Sequence, residues 1–301
     1  MGELRLTGLK SGVPIGFMAA LGAFRHAVAM PELGGAKLKW TPYAGQWCAT
    51  LVTGSEVEPD ALVRLFVDCV KGMKVRPEFE WADQIKKTPV PAFRLNAERM
   101  LSLEEWFATF GSELALAKDR TVRPTLFDMT GGQQRFLLKL RQASGFLADN
   151  PNAASDLFKE AMFGPWQYKA SKKGVEIESS HSLGLDPTTL LEGAFTGSEP
   201  AEIKDKKGIR GAIWLAFEAL PLFPSVYDRT LATVGFSRTG RKTYFEWAVW
   251  ESPLPLGAVK TLLMHPTETA DKGRGTVARY RCERINLNKD YYCFSHAELT
   301  V

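Results

Sequence analysis

Apolar positions recur at two periods along this chain, and the alternation between them lays out its elements. Leu4 and Leu6 alternate with polar or charged neighbours, which predicts a short opening strand. Gly8 and Gly12 punctuate the turn that follows. Phe17, Leu21, Phe24 and Val28 then repeat at helical spacing, with Met18 and Ala20 widening the stripe. Pro14 fits the first turn of that helix, where its missing N–H costs nothing. Pro31 and Gly34-Gly35 end it. Lys37–Tyr43 and Gln46–Val52, divided by Ala44-Gly45, read as a β-hairpin carrying Trp40, Tyr43 and Trp47. From Pro59 onward, Leu62, Leu65, Phe66, Cys69, Val70 and Met73 mark a helix with one apolar face.

The pattern weakens from Val75 to Arg99, where Pro77, Pro89 and Pro91 interrupt it, so loop or irregular structure is expected. Ser102 and Glu105 have the spacing of a capping box for a helix running through Leu116. Leu126 and Phe127 look extended. Asp128 to Gln134 leads into a helix through Ala148 with the stripe Phe136, Leu140, Ala143 and Leu147. Asn150-Pro151-Asn152 closes it, a short helix covers Ala153–Met162, and Gly164–Lys173 reads as a basic, aromatic loop. Ile209 to Leu220 is apolar almost all round, which predicts a central helix stopped by Pro221 and Pro224. Strands are expected at Leu231–Ser237, Thr243–Trp250, Thr276–Ile285 and Tyr291–Ala297, with a tight turn at Thr239-Gly240 and a short helix over Leu256–Leu263. The fold class is therefore α+β: N-terminal and central apolar helices packed on antiparallel sheet, with a C-terminal β-meander. The expected division is an α/β region over 1–200 and a helix with the meander over 201–301, packed as one unit. The polar stretch Thr196–Lys207 is the linker candidate.

Composition narrows the class. Hydrophobic residues make up 45% and charged residues 24% of 301 residues, which is ordinary for a globular core and argues against long disordered tails. The net charge of +4 permits a nucleic-acid partner without demanding one. Cys48, Cys69, Cys282 and Cys293 form no CxxC pair and lie near no His at ligand spacing, so neither zinc nor a disulfide framework is expected. The start, MGELRLTGLKSG, has no basic segment ahead of an apolar signal core, and the apolar run Val13–Met30 contains Arg25 and His26. A cytoplasmic protein without a membrane span is the expectation.

Chemistry-bearing motifs are missing. His26, His181, His265 and His296 belong to no HExxH, HxH or HD pattern, and His26 reads as a satisfied core histidine. There is no P-loop, no GxGxxG after a strand and no GxSxG. Glu104-Glu105 reads as a solvated helix start. No cofactor is expected, and binding rather than turnover is the leading reading. An enzyme whose site residues are scattered through the sequence is one rival.

Basic residues with aromatic neighbours are the positive signal. Arg135 and Lys139 lie one turn apart on the helix after Gly131-Gly132, and Arg238, Arg241 and Lys242 flank a hairpin turn. Strand alternation puts Arg279 and Arg281 on one face and Tyr280, Cys282 and Arg284 on the other, with the two arginines about 7 Å apart, a spacing that suits successive phosphates. Gln133, Gln134 and Asn286 are the candidates for touching base edges.

Three segments together resemble a known family. They are Gly8-Leu9 with Pro14-Ile15-Gly16-Phe17-Met18-Ala19-Ala20-Leu21-Gly22-Ala23-Phe24-Arg25, then Asp128 to Gln134, then Trp214 to Pro224 with the late Arg279-Tyr280-Arg281. In order and spacing they resemble the large-subunit-like CRISPR-associated proteins of type I-G (formerly I-U) systems. The resemblance implies a non-enzymatic subunit of a Cascade-type RNA-guided surveillance complex. Its implied partners are the other Cascade subunits, guide RNA, target double-stranded DNA and a helicase-nuclease. Its implied tasks are reading the protospacer-adjacent motif, holding target DNA and recruiting the nuclease. Large subunits of related systems often end in a helical bundle, whereas strands are predicted here. A purely structural subunit that touches only protein is the other rival.

Overall fold

The structure, a computed structural model, describes residues 1–131, 135–168, 183–188, 208–264, 275–288 and 291–300. Among them are nine α-helices and twelve strands. In chain order, β1 (Gly2–Lys10) and α1 (Pro14–Ala29) precede the hairpin β2 (Lys37–Tyr43) and β3 (Gln46–Thr53). Then follow α2 (Pro59–Gly72), α3 (Pro77–Glu80), α4 (Val90–Arg99), α5 (Glu104–Phe110), β4 (Gly111–Leu116), β5 (Val122–Pro124), α6 (Phe136–Asp149) and α7 (Pro151–Phe163). The last part comprises α8 (Arg210–Glu218), β6 (Ser225–Asp228), β7 (Thr230–Thr233), β8 (Phe236–Thr239), β9 (Lys242–Trp250), α9 (Leu256–Met264), β10 (Thr276–Asn288), β11 (Tyr291–Phe294) and β12 (Glu298–Leu299).

The fold is mixed α+β, with antiparallel pairing in every sheet and a C-terminal strand meander. One sheet has the order β1-β3-β2; the other runs β11-β10-β9-β8, with β12 beside β10. The sheets meet where Leu38 bridges Leu254 and the Trp250 indole donates to the Leu38 carbonyl at 2.8 Å. Helix α1 lies against both. Its Phe17 ring stacks 5.7 Å from Trp40 of one sheet and 5.4 Å from Trp247 of the other. Behind α1 packs α8, buried from Gly211 to Glu218 as its all-round apolar pattern predicts. The two helices approach closely because Gly22 has no side chain: a Cβ there would sit 1.8 Å from the Leu215 carbonyl oxygen.

Several expectations need correction. Val75–Arg99 is irregular only in part: Pro77–Glu80 and Val90–Arg99 form α3 and α4, with irregular backbone between them. Pro77 sits at a helix start, where it is tolerated, and aromatic packing of Phe79 on Trp106 and of Trp81 on Phe93 and Phe107 supplies what local propensity lacks. The helix predicted through Leu116 ends at Phe110, and Gly111 opens β4. Ser102 makes no cap: Leu103 is the residue before the helix. Leu126 and Phe127 form a turn rather than a strand. Leu231–Ser237 divides at Gly235, whose φ of 83° breaks the strand into β7 and β8. The strand β6 was not foreseen. No helix among the described residues is long and apolar enough to cross a membrane.

Candidate functional site

The basic residues expected to bind a polyanion divide by environment. Arg241 lies in the two-residue turn Gly240-Arg241 of the β8–β9 hairpin and Arg238 stands just before it on β8; Thr239 pairs with Lys242 across the turn and Gly240 takes a φ of 60°. Both arginines are exposed, and among the described residues neither has a carboxylate partner. Lys242 is exposed too but pairs with Glu283 at 2.8 Å. Arg281 lies on the outer face of β10, 3.2 Å from Glu298 and over the Tyr244 ring. Arg279 is buried, and burial pulls its pKa down against the charge of Glu246.

The predicted alternation has a consequence for Arg284. Tyr280 stacks on Trp247 and Cys282 is buried, so their side of β10 faces the core, and Arg284 follows it inward. There Arg284 donates to the carbonyls of Leu126 and Asp128 at 2.8 and 3.2 Å and covers the Tyr292 ring. Its contacts tie β10 to the turn before α6. Arg135 is ion-paired with Asp83, which Arg141 also contacts at 2.9 Å, and those two hydrogen bonds hold Asp83 below the usual carboxylate range. Lys139 is half-buried on α6, and Asn286 is exposed on β10. Gln133 and Gln134 lie outside the described residues.

A second constellation gave no motif. Arg76, just before α3, reaches under α1 to the last residue of α8. Its guanidinium contacts Glu78, lies 2.8 Å from Glu218 Oε1 and 3.4 Å from Ser144 Oγ, and rests 4.4 Å from the Phe79 ring and 5.3 Å from the Trp106 ring. Glu218 Oε2 takes His26 Nε2 at 2.9 Å and Arg25 at 3.6 Å. His26 itself stacks on Trp214. Arg25, His26, Arg76, Glu78, Trp106 and Glu218 line a cavity of about 490 Å³ between α1, α3 and α8. Burial alone would raise the Glu218 carboxyl, but the Arg76 charge and the His26 hydrogen bond outweigh it and hold it at about 2.

No family model and no curated protein matches this chain. Cys69 Sγ lies 3.7 Å from His26 Nδ1, so Cys69, His26 and Glu218 stand in the order of a thiol, a base and an orienting carboxylate. The electrostatics oppose that use. Burial and the nearby Glu218 charge push the Cys69 thiol up to about 11, whereas a nucleophilic cysteine needs its thiolate near neutral pH. Glu218 also gives its other oxygen to Arg76. The cluster is thus a neutralised charge centre that locks α3 onto α1 and α8. Among the described residues no three His, Cys, Asp or Glu side chains gather as metal ligands. The signal that could have located this centre is a lone glutamate, Glu218, inside an otherwise apolar helix, because such a charge needs partners from elsewhere.

Proposed function

We propose that this chain is a non-catalytic, nucleic-acid-contacting subunit of a cytoplasmic type I-G CRISPR surveillance complex. In that role it helps read the adjacent motif on target duplex and recruit the helicase-nuclease beside the guide RNA and the other Cascade subunits. One observation carries the reading: Arg238 and Arg241 project from a hairpin tip without carboxylate partners among the described residues. Arginines held on a rigid turn and not neutralised internally suit contact with phosphate oxygens or a guanine edge. The sequence resemblance supplies the biological setting. Arg279 and Arg284 are assigned to the fold instead, since Arg279 is buried and Arg284 donates to the Leu126 and Asp128 carbonyls.

The test is a mobility shift with duplexes varied beside the target, using the assembled complex with and without this chain. The expected result is firm, salt-sensitive binding only when the chain is present, weakened by Arg238→Gln with Arg241→Gln. Equal binding without the chain would end this reading.

A second reading, a subunit that touches only protein, is favoured by a different observation. Leu114 and Leu116 of β4 and Val226 and Tyr227 of β6, on neighbouring hairpins, are all exposed. In that case Leu114→Ser with Val226→Ser breaks assembly, while the hairpin arginine variants leave DNA binding intact.

A further inference from the structure

The outward face of the β1-β3-β2 sheet carries a charge imbalance that neither the core nor the hairpin reading uses. These three strands hold four cations, Arg5, Lys10, Lys37 and Lys39, and a single acid, Glu3. The register gathers them. Leu6, Ala49 and Trp40 align on the core side and are buried. Arg5 and Lys39 both stand opposite Thr50 on the other side. Lys37 is two residues from Lys39 on the same face, about 7 Å along the strand. Lys10 pairs with Cys48 after a bulge, and its charge with that of Arg5 acts on the Cys48 thiol.

Neutralisation on this face is partial. Lys39 pairs with Glu3 at 2.7 Å. Arg5 instead donates to the Thr41 hydroxyl at 3.0 Å and lies 5.3 Å from the centroid of the Tyr43 ring. Among the described residues Arg5, Lys10 and Lys37 have no carboxylate partner, and Tyr43 is 47% exposed. Edge-strand lysines commonly serve only to discourage strand pairing. That role does not call for an arginine resting on an exposed aromatic ring beside two strands of aligned cations.

We infer that this face is a binding platform for single-stranded nucleic acid, with Lys37 and Lys10 tracking the phosphates and the Arg5–Tyr43 pair stacking an unpaired base. An exposed ring on the face of a sheet is reachable by a splayed base and not by one inside a duplex. The face is independent of the proposed hairpin contact. The hairpin stands at the Lys242 end of β9, whereas the β1-β3-β2 sheet meets that strand further along, where the Trp247 indole donates to the Ser11 carbonyl and the Trp250 indole to Leu38.

The experiment measures fluorescence anisotropy of a labelled oligothymidine with the full chain, across a salt series, beside a duplex of equal length. The expected result is preference for the single strand. Lys10→Gln with Lys37→Gln lowers the slope of log affinity on log salt by about 1.4. Arg5→Gln with Tyr43→Leu weakens binding about tenfold. All four positions are exposed, so thermal melts confirm that each variant folds. Arg238→Gln with Arg241→Gln leaves this binding unchanged, which keeps the outcome separate from the duplex test. The inference is overturned if the chain does not bind the single strand, if it binds duplex equally well, or if the sheet variants match the parent.

Discussion

His26 Nε2 lies 2.9 Å from Glu218 Oε2, joining the buried face of α1 to the last residue of α8. The same carboxylate reaches Arg76 at 2.8 Å, so three separate stretches of chain share one buried negative charge. Glu218→Gln keeps the shape and removes that charge, leaving Arg76 with Glu78 alone. Breaking a buried ion pair from one side costs about 3–5 kcal/mol, because the remaining charge stays desolvated. A lower urea midpoint at unchanged slope is expected. A midpoint equal to the parent's would show that the network carries no stability.

Glu218 also predicts the direction of acid unfolding. Its carboxyl titrates near 4.5 in the unfolded chain and at about 2 in the folded one. Between those values the unfolded state takes up a proton that the folded state refuses. The stabilisation is therefore fully present above pH 4.5 and is lost as pH falls towards 2. Denaturation curves measured over this window for the parent and for Glu218→Gln test it. The parent loses stability more steeply, and parallel curves would refute the assignment.

Arg284 and Arg238 give opposite expectations although the sequence pattern suits both to a polyanion. Arg284 donates to two backbone carbonyls inside the fold, so Arg284→Met leaves those buried acceptors unsatisfied and costs about 2 kcal/mol. Arg238→Gln breaks no ion pair among the described residues and leaves stability within about 0.5 kcal/mol. A pair of chemical denaturation curves separates them. If both variants behave alike, the division between structural and exposed arginines is mistaken.

Legibility followed how locally each element is determined. Helices α1, α2 and α8 show in the sequence because their apolar periodicity is long and unbroken, and the β2–β3 and β8–β9 hairpins show through turn residues such as Gly45 and Gly240. Helices α3 and α4 did not, since Pro77, Pro89 and Pro91 read as breaks while their stability comes from Trp81, Phe93 and Phe107 meeting across distant segments. At the candidate site, the exposed position of Arg238 and Arg241 follows from the hairpin turn. The inward turn of Arg284 depends on which side of β10 faces Trp247, and alternation alone cannot choose a side.

The cysteines should resist alkylation. Burial raises Cys48 and Cys282, and burial with the Glu218 charge takes Cys69 up to about 11. At neutral pH almost no thiolate is present for attack. Iodoacetamide should modify the native chain far more slowly than the urea-unfolded chain. Rapid, selective modification of Cys69 would instead revive the reading of Cys69, His26 and Glu218 as an active centre.

Gly22 tests the central helix crossing most directly. An ideal Cβ there would lie 1.8 Å from the Leu215 oxygen and 2.8 Å from its carbonyl carbon, and both belong to backbone that cannot rotate away. Alanine is the better helix former by about 1 kcal/mol, so on an isolated α1 the change would help. In the folded chain α1 and α8 would have to separate, loosening Trp214 from His26 and drawing Glu218 from its partners. Overpacking of that kind costs about 1–3 kcal/mol before the ionic centre is disturbed. Gly22→Ala is therefore expected to be net destabilising, whereas Gly145→Ala, where a Cβ meets nothing within 4 Å, is neutral or stabilising. Thermal melts of the two variants decide it: equal midpoints would mean that the helices do not cross as closely as described.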